Sequence, residues 1–222
     1  MKRFFCLTLI LVVIFSFFSA CSKSFTLDGN VSELRSCLYE GKSDTLHLKA
    51  GYGFKETPFV NDGKVGDTAY ILTFKLIEKE TEKINYNLSF SFNETVYNGT
   101  FKLNPVTNAM TCAIEIDGFN LKEFTVQISF AGNSESITLK SIVPENTISY
   151  SNALKFLQKN QGALISHYTT EDGVFNAEIY ARILIKDRAP YWYIGIASGN
   201  DNLKALLIDG VSGEVLAIRE IF

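Results

Sequence analysis

The chain contains few residues of the types that usually bind metals. It has two histidines, His47 and His167. Two of its four cysteines, Cys37 and Cys112, lie after the N-terminal apolar segment and after Cys21, which follows that segment. A zinc site needs imidazoles or thiolates at short spacing, and these residues are far apart in the sequence. We therefore expect no metal site, and nothing in the sequence points to a cofactor.

Catalytic groups are equally few. A Ser/His/Asp arrangement needs a histidine held beside a serine and a carboxylate. His47 alternates with leucines in a strand pattern, so we expect it on a solvated face, and His167 at the end of an apolar run is expected to be structural. No GxSxG, HExxH or CxxC motif occurs. The sequence thus favours a protein that is not an enzyme; the alternative is a hydrolase whose histidine meets carboxylates in an unmarked cleft.

Composition and charge define the class of protein. The 222 residues are 46% hydrophobic and 20% charged, which is typical of a globular chain. The formal net charge is −3, and no run of Lys and Arg interleaved with aromatics appears. Nucleic acid binding needs a basic surface, so we do not expect a nucleic acid partner.

The N-terminus has the layout of a secretory signal. Met1-Lys2-Arg3 is basic, Phe4–Phe18 is almost entirely apolar, and the small residues Ser19-Ala20 follow. The apolar run is about fifteen residues, shorter than the roughly 20 that a membrane helix requires. Residues 1–20 are therefore predicted to be a signal peptide that is removed.

Phe18-Ser19-Ala20-Cys21 resembles the bacterial lipobox, although an aliphatic residue is usual where Phe18 stands. The resemblance implies that Cys21 is lipidated and becomes the first residue of a lipoprotein anchored at the extracytoplasmic face of the cell membrane. Loss of Lys2 and Arg3 would move the formal charge from −3 to −5. An ordinary signal peptide cut beside Ala20 is the alternative.

Residues 21–33 are predicted to be an anchor and linker, and residues 34–145 a β-sandwich domain. Apolar and polar side chains alternate through this domain, as in Tyr86 to Phe92, and turn residues separate the runs. Six or seven short antiparallel strands favour an immunoglobulin-like sandwich. The Cys-Trp-Cys signature of antibody domains is missing, because the single tryptophan is Trp192, so the subclass stays open.

Two local features of this domain carry predictions. Asn98-Gly99 lies between strand-like residues and predicts a type I′ hairpin turn. Cys112 shares a strand face with apolar residues, which favours a place in the core. A disulfide between Cys37 and Cys112 is the alternative that an extracytoplasmic location permits.

Residues 146–222 are predicted to form a small α+β domain, a helix packed on an antiparallel sheet. Apolar residues from Ala153 to Leu157 have helical spacing, and Ser149 or Ser151 can cap the helix. Strand patterns return at Ala163 to Tyr168 and continue to the C-terminus.

The closing part of this region carries a family resemblance. A strand contains Trp192-Tyr193-Ile194, and an apolar strand ends at Asp209, before the turn Gly210–Gly213 and a second strand opening with Glu214. With the leading helix, these features resemble a PepSY domain. The resemblance implies an envelope protein that acts on a peptidase, a peptide or another cell-envelope protein.

The aromatic residues of this region are the best candidates for recognition. Trp192 and Ile194 should share the buried face of a strand, whereas Tyr191 and Tyr193 should point away from it, near Tyr180 on a neighbouring strand. Exposed aromatics are enriched at interfaces. The sequence therefore predicts a membrane-anchored, non-catalytic binding or regulatory protein with these tyrosines in its binding surface; a purely structural envelope role stays open.

Overall fold

The structure is a computed structural model, and it describes residues 26–58, 60, 62–77, 85–199 and 203–221. The predicted signal peptide and Cys21, the predicted lipidation site, lie outside the described residues. The fold is mainly β, with a curled antiparallel sheet and two helices. Part of the predicted linker 21–33 is structured, because a 3₁₀ helix spans Leu27–Asn30 and the first strand begins at Val31.

Thirteen strands and two α-helices make up the described fold. In chain order they are β1 (Val31–Lys42), β2 (His47–Glu56), β3 (Thr68–Leu76), β4 (Asn87–Phe92), β5 (Thr95–Thr100), β6 (Lys102–Asn104), β7 (Ala109–Glu115), β8 (Glu123–Phe130), β9 (Asn133–Ser141), α1 (Tyr150–Asn160), α2 (Gly162–His167), β10 (Glu178–Lys186), β11 (Ala189–Ala197), β12 (Leu203–Asp209) and β13 (Val215–Ile221).

One strand, β1, connects the two halves of the sheet. The main path runs β13-β12-β11-β10-β1-β2-β3-β7-β6, and β9, β8, β4 and β5 branch from the C-terminal end of β1. Neighbouring strands are antiparallel except for β1 and β10, which run parallel. The N-terminal half of β1 thus pairs with β10, and its last residues pair with β9.

Side chains along the strands alternate between buried and exposed, as the sequence predicts. In β8, Phe124, Val126 and Ile128 are buried, whereas Thr125 and Gln127 are exposed. Burying one face of each strand removes apolar surface from water, which is the main stabilising term of the fold.

Two hydrophobic cores lie along the sheet. The first fills the curl between β1–β3, β7 and the branch β4, β8 and β9, and it is rich in aromatic residues. Phe119 and Phe124, for example, meet edge to face with ring centroids 4.8 Å apart, a preferred aromatic geometry.

The second core lies between the helices and β10–β12. It includes Ala153, Leu154 and Leu157 of α1, and Trp192 of β11. Trp192 is buried, as predicted, and its Nε1 donates a hydrogen bond to the carbonyl oxygen of Ile148 at 3.0 Å. Ser149 is the N-cap of α1 and accepts a hydrogen bond from the backbone of Asn152, which decides between the two predicted caps.

The predicted turn at Asn98-Gly99 is wrong, because both residues lie within β5. The hairpin turns at Asn93 and Glu94 instead, whose φ angles of 47° and 65° fit the two central positions of a type I′ turn. Gly99 serves close packing: a Cβ there would lie 2.3 Å from Cys112 Sγ.

The predicted strand from Ala163 to Tyr168 is also wrong, because this segment forms α2. Ile165 and Tyr168 are both buried in the second core, and a spacing of three residues puts side chains on one side of a helix. The backbone amide of Ile165 donates to the carbonyl oxygen of Gln161 at 3.0 Å, so the helix begins directly after α1.

Cys37 and Cys112 are free thiols, and Cys112 is buried in the first core. They lie on β1 and β7, which β2 and β3 separate. Three strand spacings amount to about 14 Å, beyond the reach of a disulfide. The sequence left open whether Cys37 and Cys112 form a disulfide, and in the structure both are free thiols.

Candidate functional site

Both cores lie on the same face of the sheet where β1 joins β10. Leu34 and its register partner Ala181 belong to the second core, and Tyr39 and its partner Ala50 belong to the first. Side chains alternate across a strand, so Arg35 and its neighbours emerge on the opposite face. We call this second face of β7, β3, β2, β1, β10 and β11 the open face.

The open face contains a shallow groove of about 300 Å³ over the middle of the sheet. Gly51 and Gly53 of β2 form its floor, since neither carries a side chain. The other lining residues are Glu33, Leu34, Arg35, Phe54, Lys55, Ile71, Thr73, Ala113 and Arg182. Its volume lies at the lower end of the range for small-ligand sites.

Close packing of β1 against β2 explains both glycines. The register of these strands shifts between Arg35 and Cys37, as at a β-bulge, which bends the strand and increases its local twist. A Cβ on Gly53 would lie 1.8 Å from the carbonyl oxygen of Leu34, and one on Gly51 would lie 3.0 Å from Cδ of Arg35. The glycines therefore allow the approach and keep the groove open.

Three charged side chains form one wall of the groove. Arg182 donates from Nε and Nη2 to the two carboxylate oxygens of Glu33, at 2.9 Å and 2.6 Å. Arg35 Nη2 lies 3.5 Å from Glu33 Oε1. Such a two-point pair of guanidinium and carboxylate is a strong, oriented interaction.

The pKa values of the two arginines respond in opposite directions. The hydrogen bonds to Glu33 raise the pKa of Arg182 against the effect of burial. Burial lowers the pKa of Arg35, and the positive charge of Arg182 lowers it further, while Glu33 raises it. Both guanidiniums stay protonated, as arginine does in proteins.

The sequence-predicted tyrosines lie on the open face beside the groove. Tyr193 is the register partner of Arg182, and Tyr180 is the partner of Gly195. A Cβ on Gly195 would lie 3.2 Å from Cδ2 of Tyr180 and 3.5 Å from Cε1 of Tyr193, so both rings lie over this glycine. Tyr180, Tyr191 and Tyr193 are half-buried.

Tyr180 also contacts a buried carboxylate. Its hydroxyl donates to Glu178 Oε2 at 3.4 Å, and Glu178 is fully buried. Burial, and next the charge of Glu178, raise the pKa of Tyr180 to about 12. Glu178 Oε1 accepts the backbone N–H groups of Asp62 and Gly63, both at 3.1 Å. Glu178 therefore fixes the connection between β2 and β3 against this end of β10.

Neither histidine lines the groove. His47 Nε2 lies 2.5 Å from Glu40 Oε1 at the β1–β2 hairpin. Ser43 of the same hairpin donates to Glu135, a carboxylate on β9, rather than to His47. His167 is exposed and contacts the ring of Tyr168 edge to face. His47 thus lies beside one carboxylate, and Ser43 of the same hairpin bonds a different one.

The described residues contain neither a cluster of metal ligands nor a membrane-spanning helix. No three His, Cys, Asp or Glu side chains in the described part of the chain converge as metal ligands would. Within the same ranges, no helix is long and apolar enough to cross a membrane.

Sequence reasoning missed the groove. Arg35 and Arg182 belong to two strands, β1 and β10, that pair in parallel. This pairing brings Glu33 to Arg182, 149 residues away in the sequence, and no local sequence pattern indicates it. The spacing Gly51-x-Gly53 inside a strand was a usable signal, because glycine in a strand often marks a bulge or a close approach.

A scan against protein-family models, a search of curated proteins and a search of solved structures each found no match for this chain.

Proposed function

We propose that this protein is a lipid-anchored, extracytoplasmic and non-catalytic binding module, whose open face holds an envelope partner such as a peptidase or a peptide. The observation that carries the proposal is the groove over Gly51 and Gly53, together with the tyrosines at its side. Aromatic and arginine side chains are the types enriched where proteins recognise one another.

The composition of the open face supports binding rather than packing. Arg35 keeps 45% of its side-chain surface exposed and Arg182 keeps 41%, so both remain accessible to a partner. Glu33 holds Arg182 in a fixed orientation.

The finer fold assignments belong to the same proposal. Helix α1 packs on β10–β12, and the turn Asp209–Gly213 closes the last hairpin, which supports a PepSY-like region. There, Asp209 Oδ1 accepts the backbone N–H groups of Val211 and Ser212. The two strand layers around the first core support an immunoglobulin-like sandwich.

Anchoring and recognition can be tested separately. If Cys21 is lipidated, Cys21→Ser moves the protein from the membrane fraction to the soluble fraction and abolishes labelling by a palmitate analogue. An unchanged distribution would remove the anchor from the proposal.

For recognition, the protein is captured from native membranes and the co-purifying molecules are identified by mass spectrometry. Tyr193→Ala should lose the specific partner, whereas Lys155→Ala, an exposed change on α1, should keep it. A partner retained by Tyr193→Ala, or turnover of a substrate in a broad hydrolase panel, would contradict the proposed function.

A further inference from the structure

The open face is more basic than the protein as a whole. Seven basic side chains belong to it by register, and Lys42 and Lys186 lie at the ends of their strands. We call the other five the basic strip: Arg35, Lys49, Lys55, Lys75 and Arg182. The acidic side chains on the same face of these strands and of β7 are Glu33, Glu40, Glu115 and Glu178. The chain carries a formal charge of −3, so charge is segregated toward this face.

The basic strip places like charges side by side. Arg35 and Arg182 are register partners on β1 and β10, and Lys49 and Lys75 are register partners on β2 and β3. Like charges directly opposite each other destabilise a sheet. Carboxylates of the chain stand beside both pairs, because Glu33 contacts the two guanidiniums and Glu40 is the register partner of Lys49. A bound anion would offset the repulsion that remains.

The carboxylate of Glu33 shows how an acidic group binds to the arginines of the basic strip. Glu33 takes two hydrogen bonds from Arg182. Among the described residues, Arg35 has a single polar contact, the one of 3.5 Å to Glu33. A guanidinium has five N–H donors, so Arg35 retains the capacity to bind a second carboxylate.

The geometry sets the length of the ligand. Lys49 and Lys55 are six residues apart on β2, which corresponds to about 20 Å along the strand. The glycine floor lies between them. An extended peptide of about six residues has the same length.

We propose that the basic strip binds an extended acidic peptide segment, with carboxylates at Arg35 and at Lys49 and Lys75, and with the peptide chain lying over Gly51 and Gly53. This inference rests on the proposed function and names the chemistry of its partner. A carboxylate ligand fits because Glu33 already occupies the neighbouring guanidinium in the same way.

The test measures binding of a fluorescent hexaglutamate peptide to the purified protein by fluorescence polarisation. The comparison probes are hexaglutamine, linear polyphosphate and vesicles of phosphatidylglycerol. Hexaglutamate should bind, hexaglutamine should not, and added salt should weaken the binding because the charges are partly exposed.

Two substitutions move the affinity in opposite directions. Arg35→Gln should weaken binding of hexaglutamate by about tenfold, as expected for loss of a charge-assisted hydrogen bond. Glu33→Gln removes the internal competitor and frees Arg182, so it should tighten binding severalfold. Misfolding cannot produce a gain of affinity, and Lys155→Gln on the opposite side is the matched control.

The inference is overturned if Arg35→Gln and Glu33→Gln leave the affinity unchanged. It is also overturned if only polyphosphate or the vesicles bind, because the ligand would then be a phosphate polymer or an anionic lipid surface. If Tyr193→Ala loses a captured partner but hexaglutamate does not bind, the proposed function stands and the acidic ligand is wrong.

Discussion

Glu33 and Arg182 form a two-point ion pair across the only parallel junction among the described strands, at 2.9 Å and 2.6 Å. The first residue lies near the start of β1 and the second in the middle of β10. Because β1 contributes Leu34 to one core and Tyr39 to the other, this pair lies where the two halves of the protein share a strand.

Arg182→Gln should lower the free energy of unfolding by about 1–2 kcal/mol, because it leaves Glu33 without its two charge-assisted hydrogen bonds. The value stays in this low range since Arg182 is 41% exposed and solvent screens the pair. Urea unfolding measures the change. The exposed pair of Lys140 and Glu123, 3.6 Å apart, supplies the control: Lys140→Gln should change stability little. Equal losses in both variants would contradict the role given to Glu33 and Arg182.

Local patterns predicted most of the strands because one buried face imposes a period of two. The stretch from Phe124 to Phe130 and the helix containing Ala153 and Leu157 are examples. The same local patterns failed at Ala163 to Tyr168, where a short apolar run suits either a strand or a helix turn. They also failed at Gly99, where contact with Cys112 requires the glycine.

The candidate site was predicted only in part. Tyr180 and Tyr193 were selected from the sequence, and they lie together over Gly195. Arg35 and Arg182 were not selected, because their proximity depends on the pairing of β1 with β10. Such long-range pairing is a property of the whole fold, and periodicity within a segment contains no information about it.

Gly53→Ala should destabilise the protein by about 1–3 kcal/mol. A Cβ at this position meets the backbone of Leu34 at 1.8 Å, and backbone cannot move aside as a flexible side chain can. Gly162→Ala is the matched control, because open space surrounds Gly162 at the start of α2 and alanine favours a helix. Thermal unfolding should show a lower Tm for the first variant only; a neutral Gly53→Ala would contradict the packing of β1 on β2.

Glu178→Ala should release the β2–β3 connection. It removes the acceptor for the backbone N–H groups of Asp62 and Gly63. Gly63 is buried, and an unpaired buried donor costs about 1–3 kcal/mol. Hydrogen exchange should become faster at these two amides. Glu178→Gln keeps one acceptor oxygen and should show a smaller effect. Unchanged exchange in the alanine variant would mean that other contacts hold the connection.

Stability should fall as the pH rises from about 10 to about 12. The ordinary pKa of tyrosine is about 10, and that of Tyr180 is raised to about 12. The folded protein therefore holds this proton over a pH range in which the unfolded chain has lost it, so rising pH favours unfolding. Tyr180→Phe should flatten the decline in urea unfolding measured across this range. An identical decline in both proteins would contradict the environment assigned to Tyr180.

If the open face is the surface that binds a partner, photo-crosslinking in native membranes should capture that partner from a position on this face. A photoreactive phenylalanine replaces Tyr193 on the open face, or Val96, which is 62% exposed on β5 away from the groove. We predict a discrete adduct from position 193 that Arg182→Gln diminishes, and none from position 96. Equal adducts from both positions, or adducts only from position 96, would contradict the account.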